Sequence, residues 1–172
     1  MGKNNGILLV YGSDTGMTEE ITHVIVDECD FNEINVVEVA NVTKDDFAAY
    51  DYFILGLPTW YDGELQSDWE EYFEEFKTID FTGKTVAVFG LGDQYGYPQY
   101  FVDGIGIIAK EVLRNGGEIV GHWSTEFYDF DESKALYNEE LFYGLALDED
   151  NQTDLSSERI TDWLEILRKH FN

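Results

Sequence analysis

Short apolar runs alternate with amphipathic helical patterns along the chain, and this alternation restricts the fold more than any other feature of the sequence. Apolar strands that are each followed by a helix are typical of a parallel sheet covered on both faces. Right-handed crossovers then give a doubly wound α/β fold. The strand patterns lie at residues 7–11, 36–39, 52–56 (ending before Pro58), 85–89 and 118–121, and helical patterns begin at Met17 and cover residues 69–76, 101–113 and 160–171.

The chain length of 172 residues indicates one domain with five strands, fewer than the six of a dinucleotide-binding sheet. About 30 residues, roughly 122–152, separate the fifth strand from the last helix, and this is too long for an ordinary loop. The segment is polar and aromatic rather than rich in glycine and serine. We therefore predict an ordered insertion there, not a linker.

The chain is strongly acidic, because 10 lysine and arginine residues stand against 36 aspartate and glutamate residues and give a net charge of −26. Such a surface repels nucleic acid and disfavours stable association with anionic membranes. Hydrophobic residues make up 44% and aromatic residues 16%, which indicates a folded domain rather than an acidic disordered tail. A basic partner is therefore expected, unless the charge serves only solubility.

The expected location is the cytoplasm. A single cysteine, Cys29, excludes an internal disulfide and favours a reducing compartment. No apolar run is long enough to span a membrane, and residues 1–6 lack the apolar region of a signal peptide. His23, His122 and His170 are scattered along the chain, so we expect no metal site.

Three loops follow strands at the sheet edge where doubly wound folds bind ligands. The first loop, residues 12–18, joins a strand to a helix N-terminus, whose unpaired amides suit an anion. Ser13, Thr15 and Thr18 add hydroxyl groups, and Gly16 permits close approach of the backbone. Because the loop lacks the lysine of a triphosphate-binding loop, it favours a single terminal phosphate. An ordinary Ser/Thr helix cap is the alternative.

The second loop, residues 58–65, and the third loop, residues 90–100, are rich in aromatic side chains. Trp60 and Tyr61 could stack on a flat ligand or could pack under their own loop. In the third loop, Asp93 could cap a turn or could accept a hydrogen bond from a ring N–H group. A phosphate loop beside two aromatic loops indicates a planar ring that carries one phosphate, and FMN is the natural candidate.

Five segments, taken in order, resemble the flavodoxin family in its long-chain form. The first three match its flavin loops, and the last two match its insertion. The segments are YGSDTGMTE (11–19), LGLPTWYDGELQSDW (55–69), FGLGDQYGYP (89–98), YDFDESKA (128–135) and GLALDEDNQ (144–152).

The resemblance implies a five-stranded sheet in the order 2-1-3-4-5, with the insertion in the fifth strand, and it also implies an FMN site. The first loop would wrap the phosphate, Trp60 and Tyr97 would cover the two faces of the ring, and Gly92 and Asp93 would bind its pyrimidine edge. The implied FMN-binding residues are Ser13, Asp14, Thr15, Gly16, Met17, Thr18, Pro58, Thr59, Trp60, Tyr61, Asp62, Gly63, Leu91, Gly92, Asp93, Tyr97 and Tyr100.

The same resemblance implies a low-potential one-electron carrier that works between the semiquinone and hydroquinone forms of FMN, and not an enzyme. Electrons would pass from a reductase or photosystem to acceptor enzymes. A monomer would dock basic partners such as a flavodoxin/ferredoxin–NADP reductase and acceptor oxidoreductases. An FMN-dependent reductase is the alternative. A phosphorelay receiver shares the fold, but residues 56–59 lack the aspartate it needs.

The chain departs from the family pattern at three positions. Met17 stands where asparagine or lysine is frequent, and Phe127 stands where glycine is common. The Tyr61–Asp62 peptide, which matches the peptide that rearranges on reduction, contains no glycine. A backbone conformation with positive φ would therefore cost more there than in a glycine-containing loop.

Overall fold

The computed structural model describes residues 3–171 and contains the predicted parallel sheet with helices on both faces. The strands are β1 (Asn4–Tyr11), β2 (Ile34–Glu38), β3 (Tyr50–Trp60), β4 (Glu64–Leu65), β5 (Thr85–Leu91), β6 (Glu118–Val120), β7 (Trp123–Ser124), β8 (Leu141–Phe142) and β9 (Leu145–Leu147). The helices are α1 (Met17–Glu28), α2 (Lys44–Ala49), α3 (Ser67–Phe76), α4 (Asp103–Arg114) and α5 (Thr153–Arg168), with a 3₁₀ helix at Val39–Asn41.

The parallel strands run in the order β2-β1-β3-β5-β6, and β9 continues the outer edge of β5 where β6 stops. Strand β6 pairs with Thr85–Ala87, whereas β9 pairs with Phe89–Leu91. Taken together, β6 and β9 are the two halves of one interrupted fifth strand. The predicted order 2-1-3-4-5 is therefore confirmed once the short antiparallel strand β4 is set aside.

The insertion ends earlier than the predicted residue 152. The chain returns to the sheet at Leu145, because the edge of β5 beyond Ala87 would otherwise carry unpaired backbone groups. Gly144 permits this return, since a Cβ at that position would lie 1.9 Å from the carbonyl oxygen of Val88. The segment that follows β9 thus belongs to the carboxyl end of the sheet and not to the insertion.

Strand β3 runs through Pro58 and does not stop before it, contrary to the sequence-based prediction. Proline is tolerated there because β1 ends at Tyr11, which pairs with Gly56. Beyond Gly56, therefore, β3 has no β1 neighbour. An amide hydrogen at residue 58 would have no acceptor on that side, so proline loses no hydrogen bond there. On its other side, Pro58 aligns with Leu91 of β5.

A second difference is the short helix α2, for which we identified no sequence pattern. Thr43 and Asp46 form a capping box, in which the Asp46 amide donates to Thr43 Oγ1 and the Thr43 amide donates to Asp46 Oδ2. Phe47 is buried and anchors this turn in the core. Such a helix is too short to show a helical period in its hydrophobic residues.

Two hydrophobic clusters fill the two faces of the sheet. Helices α3 and α4 bury Trp69, Phe76 and Ile108 on one face, and helices α1 and α5 bury Ile25 and Trp163 on the other. Alternate residues of each strand point to opposite clusters, as the near-continuous apolar strands predict. No helix within residues 3–171 has the length and apolarity required to cross a membrane.

The insertion packs against α4 and carries its own aromatic cluster. The ring of Phe101 lies 5.4 Å from Phe130 and 6.0 Å from Phe142, and Tyr128 stands edge-on to Phe142. The backbone approaches α4 closely, because a Cβ at Gly106 would lie 1.9 Å from the insertion. These contacts hold the insertion beside the carboxyl edge of the sheet.

Candidate functional site

A cavity of about 310 Å³ opens at the carboxyl ends of β1, β3 and β5. All three predicted loops contribute to its wall, which is the arrangement that doubly wound folds use for ligands. The predicted residues that line it are Thr15, Met17, Thr18, Pro58, Thr59, Trp60, Leu91, Gly92, Asp93 and Tyr97. Its other lining residues, Glu149 and Asp150, were absent from the predicted set.

The first loop presents an uncapped helix N-terminus. Gly16 adopts a left-handed conformation with φ +90° and is the N-cap residue directly before α1, which has no side-chain cap. Ser13 Oγ accepts a hydrogen bond from the Gly16 amide at 3.0 Å, so Ser13 shapes the turn but leaves the first helical turn uncapped. The alternative of an ordinary Ser/Thr cap is therefore not what this loop shows. Its amides and the helix dipole suit an anion.

Asp14 turns away from this cavity and fastens the first loop to α3. Its Oδ1 accepts hydrogen bonds from Gln66 Nε2 at 2.9 Å and from Ser67 Oγ at 3.0 Å. Gln66 is fully buried, and its Oε1 accepts from the Trp69 amide. Gln66 is thus a positioning residue that we did not predict, although its place directly before an amphipathic helix is a signal for capping.

The second loop contributes an aromatic wall. Trp60 is half-buried in the cavity wall, and its Nε1 is buried without a hydrogen-bond partner among residues 3–171. Tyr61 has φ +46° and is 64% exposed, while Asp62 is also exposed. Tyr61 therefore has a positive φ although it is not a glycine, and this conformation costs about 1–2 kcal/mol.

Gly63, which belongs to the second loop, and Tyr100, which lies close to it, do not line the cavity. Gly63 has φ +83°, and a Cβ there would lie 2.5 Å from Asp103 Oδ2 and 3.3 Å from Tyr100 Cδ1. Asp103 begins α4, and its Oδ1 accepts from the Lys134 amide at 2.7 Å. Thr59 Oγ1 accepts from the Gly104 amide at 2.9 Å, so the loop, α4 and the insertion meet at one point.

Asp103→Asn should raise the stability of the protein at neutral pH and flatten its pH dependence. Burial raises the pKa of Asp103 above its usual value, although the Lys134 amide opposes this shift. A carboxyl group whose pKa is higher in the folded state stabilises the fold while it is protonated. That contribution is lost as pH rises from the unfolded pKa through the folded pKa. Asparagine keeps an oxygen acceptor for Lys134 and cannot ionise.

Urea unfolding of Asp103→Asn and of the wild type between pH 4 and pH 8 measures this effect. Asp62→Asn, at an exposed site, is the matched control for the loss of one charge from an acidic surface. An equally steep loss of stability with pH in Asp103→Asn and wild type would contradict the assignment.

Asp93 organises the third loop. Its Oδ1 accepts hydrogen bonds from the amides of Gly96 at 2.7 Å and Tyr95 at 3.1 Å and from Asn151 Nδ2 at 2.8 Å. Burial by itself would raise the pKa of Asp93, but these hydrogen bonds outweigh it and hold that pKa below its usual value. Asp93 therefore caps a turn and stays ionised at the cavity, and the nearby Tyr97 is 44% exposed.

The segment after β9 supplies the unpredicted acidic wall. Burial, followed by the nearby carboxylates of Asp93 and Asp148, raises the pKa of Asp150. Asp148 is fully buried, and its Oδ2 accepts from the amide and the side chain of Gln94 at 3.1 and 2.7 Å. The sequence feature that could have predicted this wall is the acidic run directly after the last strand segment. Doubly wound folds bind their ligands at the carboxyl ends of the strands, where this run lies. The cavity wall contains carboxylates but no lysine or arginine among the residues that the structure describes.

Known proteins resemble the chain over almost its whole length. The family model for flavodoxin matches residues 9–163. Flavodoxin from Nostoc sp. (strain PCC 7120) is 48% identical over 163 residues, 95% of each chain. Flavodoxin 1 from Escherichia coli (strain K12) is 45% identical over 164 residues, 95% of this chain and 93% of that protein. The crystal structure of Fusobacterium nucleatum flavodoxin bound to flavin mononucleotide has a TM-score of 0.91 and 33% identity, covering 97% of this chain and 99% of that one.

Proposed function

This chain belongs to the flavodoxin family, and we propose that it binds FMN in the cavity between the three loops. It is a low-potential electron carrier that uses FMN, and not an enzyme. The relatives do not favour an FMN-dependent reductase, the alternative that the sequence leaves open. The observation that supports the site is the convergence of all three loops on one cavity of about 310 Å³.

The residues present fit the phosphate of FMN. The uncapped N-terminus of α1 offers backbone amides, and the hydroxyl group of Thr15 lies at the same cavity. The buried and unpartnered Nε1 of Trp60 is a further donor, and a buried donor without a partner is costly unless a ligand satisfies it. We infer that Ser13, Gly16, Met17 and Thr18 complete this phosphate site, with Asp14 as its anchor to α3.

The other wall fits a flat ring. Trp60 and Tyr97 supply aromatic surface, while Pro58, Leu91 and Gly92 supply apolar surface and close backbone approach. We infer that the two aromatic side chains cover the ring and exclude water from it. Thr59, Asp62, Gly63 and Tyr100 then shape the loop around the ring.

When bound, FMN supplies the one-electron chemistry, and the protein sets its energetics. Carboxylates at Asp93, Glu149 and Asp150 surround the cavity and disfavour the addition of negative charge, which lowers the reduction potential. The Tyr61–Asp62 peptide lies beside the site with a positive φ at Tyr61. We infer that this peptide changes its orientation when the protein takes up an electron, because strained backbone held by its surroundings is characteristic of switch regions with two conformations.

The partners follow from the charge of the chain. A net charge of −26 steers the protein toward basic docking sites. We infer that these partners include a flavodoxin/ferredoxin–NADP reductase and acceptor oxidoreductases, and that the protein works as a cytoplasmic monomer. Association rates with such partners should fall as salt concentration rises.

Reconstitution of the apoprotein with FMN and with riboflavin tests the proposed site. FMN should bind one molecule per chain with quenching of its fluorescence. Riboflavin should bind at least about tenfold more weakly, because it lacks the phosphate and its charge-assisted hydrogen bonds. Equal affinities for the two flavins would contradict the phosphate site, and no binding of either would contradict the proposed function.

A further inference from the structure

Phe127 in the insertion is exposed and strained at the same time. Its side chain is 78% exposed, and its backbone has φ +72°, a conformation that side-chain-bearing residues rarely adopt. The positive φ costs about 1–3 kcal/mol, and the exposed ring gains little burial within the described chain that would offset this cost. Burial of the ring against another molecule would offset it.

A cavity of about 610 Å³ lies beside Phe127, between the insertion and α5. It shares no lining residue with the proposed FMN site and is larger. Its apolar wall consists of Trp123, Phe127 and Leu155. This volume is sufficient to receive an apolar side chain from another molecule.

The rim of this cavity is negatively charged. Glu126, Glu158 and Asp162 line it and are all exposed. Arg159 also lines it, but its guanidinium is turned inward, because it lies 4.2 Å over the ring of Tyr128 and its Nη1 donates to the side chain of Gln152. Arg159 is only 7% exposed, so the charge offered at the surface is that of the carboxylates.

The cavity is connected to the FMN site through hydrogen bonds. Gln152 Nε2 donates to the carbonyl oxygen of Phe127 at 3.0 Å, and the Asp129 amide donates to Gln94 Oε1 at 2.6 Å. Gln94 follows Asp93, and Gln152 closely follows Asp150, both of which line the FMN site. The insertion segment that carries Phe127 is therefore hydrogen-bonded to the third loop, which contributes to the proposed FMN site.

We propose that Phe127, the apolar cavity beside it and its acidic rim form a docking surface for a partner protein. The segment that it fits carries an apolar side chain flanked by lysine or arginine residues, because the apolar wall and the exposed carboxylates complement that pattern. The proposal rests on the proposed function in one respect, since that function implies that the partner exchanges electrons with this protein.

Titration of the ¹⁵N-labelled, FMN-loaded protein with short peptides tests this surface by NMR. The probe is acetyl-Lys-Lys-Leu-Lys-Lys-amide, and the control peptide has serine in place of leucine. The leucine peptide should shift amide signals of residues 123–127 and 155–162 and bind about tenfold more tightly than the serine peptide. Weaker or equal binding of the leucine peptide, or shifts confined to the FMN loops, would overturn the proposal.

Protein variants separate the apolar contribution from the charged one. Phe127→Ser should lower the affinity for the leucine peptide about tenfold and leave its salt dependence unchanged. The double variant Glu158→Gln, Asp162→Asn should lower the affinity severalfold and reduce its salt dependence. Tyr137→Ser, at a 55% exposed aromatic residue of the insertion outside the cavity, is the matched control and should bind like wild type.

Phe127→Gly guards against a folding artefact, since glycine readily adopts φ +72°. This variant should unfold at a temperature no lower than that of the wild type. Its affinity for the leucine peptide should nevertheless fall as much as that of Phe127→Ser. Full retention of peptide binding in both variants would overturn the proposal. The absorbance spectrum of bound FMN, recorded on the same samples, reports separately whether the proposed function holds.

Discussion

Thr15→Asp should lower the affinity of the apoprotein for FMN at least about 100-fold relative to Thr15→Asn. Thr15 is exposed in the first loop and lines the cavity. Asp and Asn have nearly the same shape, so the two variants differ mainly in one negative charge next to the proposed phosphate. A unit charge pair a few ångströms apart is worth about 4 kcal/mol at an effective dielectric of 20, and about 2.7 kcal/mol already corresponds to 100-fold.

The fold should tolerate this charge, because acidic residues near a helix N-terminus stabilise the helix. Fluorescence titration with FMN measures the effect, and riboflavin is the internal control. Riboflavin should bind both variants with affinities within about threefold of each other, since it carries no phosphate and Coulomb repulsion is then small. If Asp and Asn at position 15 bind FMN equally, the phosphate does not lie at the first loop.

Trp69→Ala should lower the free energy of unfolding of the apoprotein by about 4 kcal/mol, within the range for large core residues. Trp69 is fully buried, and its ring meets Phe76 edge-on at 5.5 Å. Its Nε1 donates to the Gly56 carbonyl oxygen at 3.0 Å. A Cβ at Gly12 would lie 2.7 Å from its ring, so Trp69 also supports the start of the first loop. Alanine leaves a cavity that the rigid sheet cannot fill.

Trp60→Ala is the matched control, since it removes the same side chain from a half-buried site in the cavity wall. The apoprotein should lose less than about 1.5 kcal/mol, because no hydrogen bond of Nε1 is broken and little core is removed. Its affinity for FMN should nevertheless fall clearly. Urea unfolding and FMN titration of both variants measure this contrast. Equal destabilisation of the two apoproteins would contradict the assigned roles.

Local patterns were sufficient to predict most of the elements, and they failed where the neighbours of an element decide its limits. The apolar runs predicted the strands, but the end of β3 depends on where β1 stops, so Pro58 could not be placed from its own sequence. Helix α2 was missed because Lys44–Ala49 is too short for a helical period. Its stability comes from a capping box and from the burial of Phe47.

Local patterns likewise predicted some residues of the candidate site and missed others. Thr15, Trp60 and Tyr97 could be found because a loop after a strand and its residue types already indicate their chemistry. The position of Gln66 before an amphipathic helix indicates a capping role, but its link to the first loop could not be predicted, because that link is a partly buried contact with Asp14, 52 residues earlier. Glu149 and Asp150 were missed because their segment was assigned to the insertion, whereas β9 returns to the sheet.

The sequence by itself determined the doubly wound fold and the three loops, because these follow from local hydrophobic patterns and strand–helix alternation. It determined the strand order only through the motifs that resemble the flavodoxin family. Only the tertiary structure decided which side chains share one cavity, which carboxylates surround it and which residues hold the loops in place. Those properties depend on contacts between residues distant in the chain. The exposed, left-handed Phe127 belongs to this second group, since neither its exposure nor its conformation is visible in its sequence.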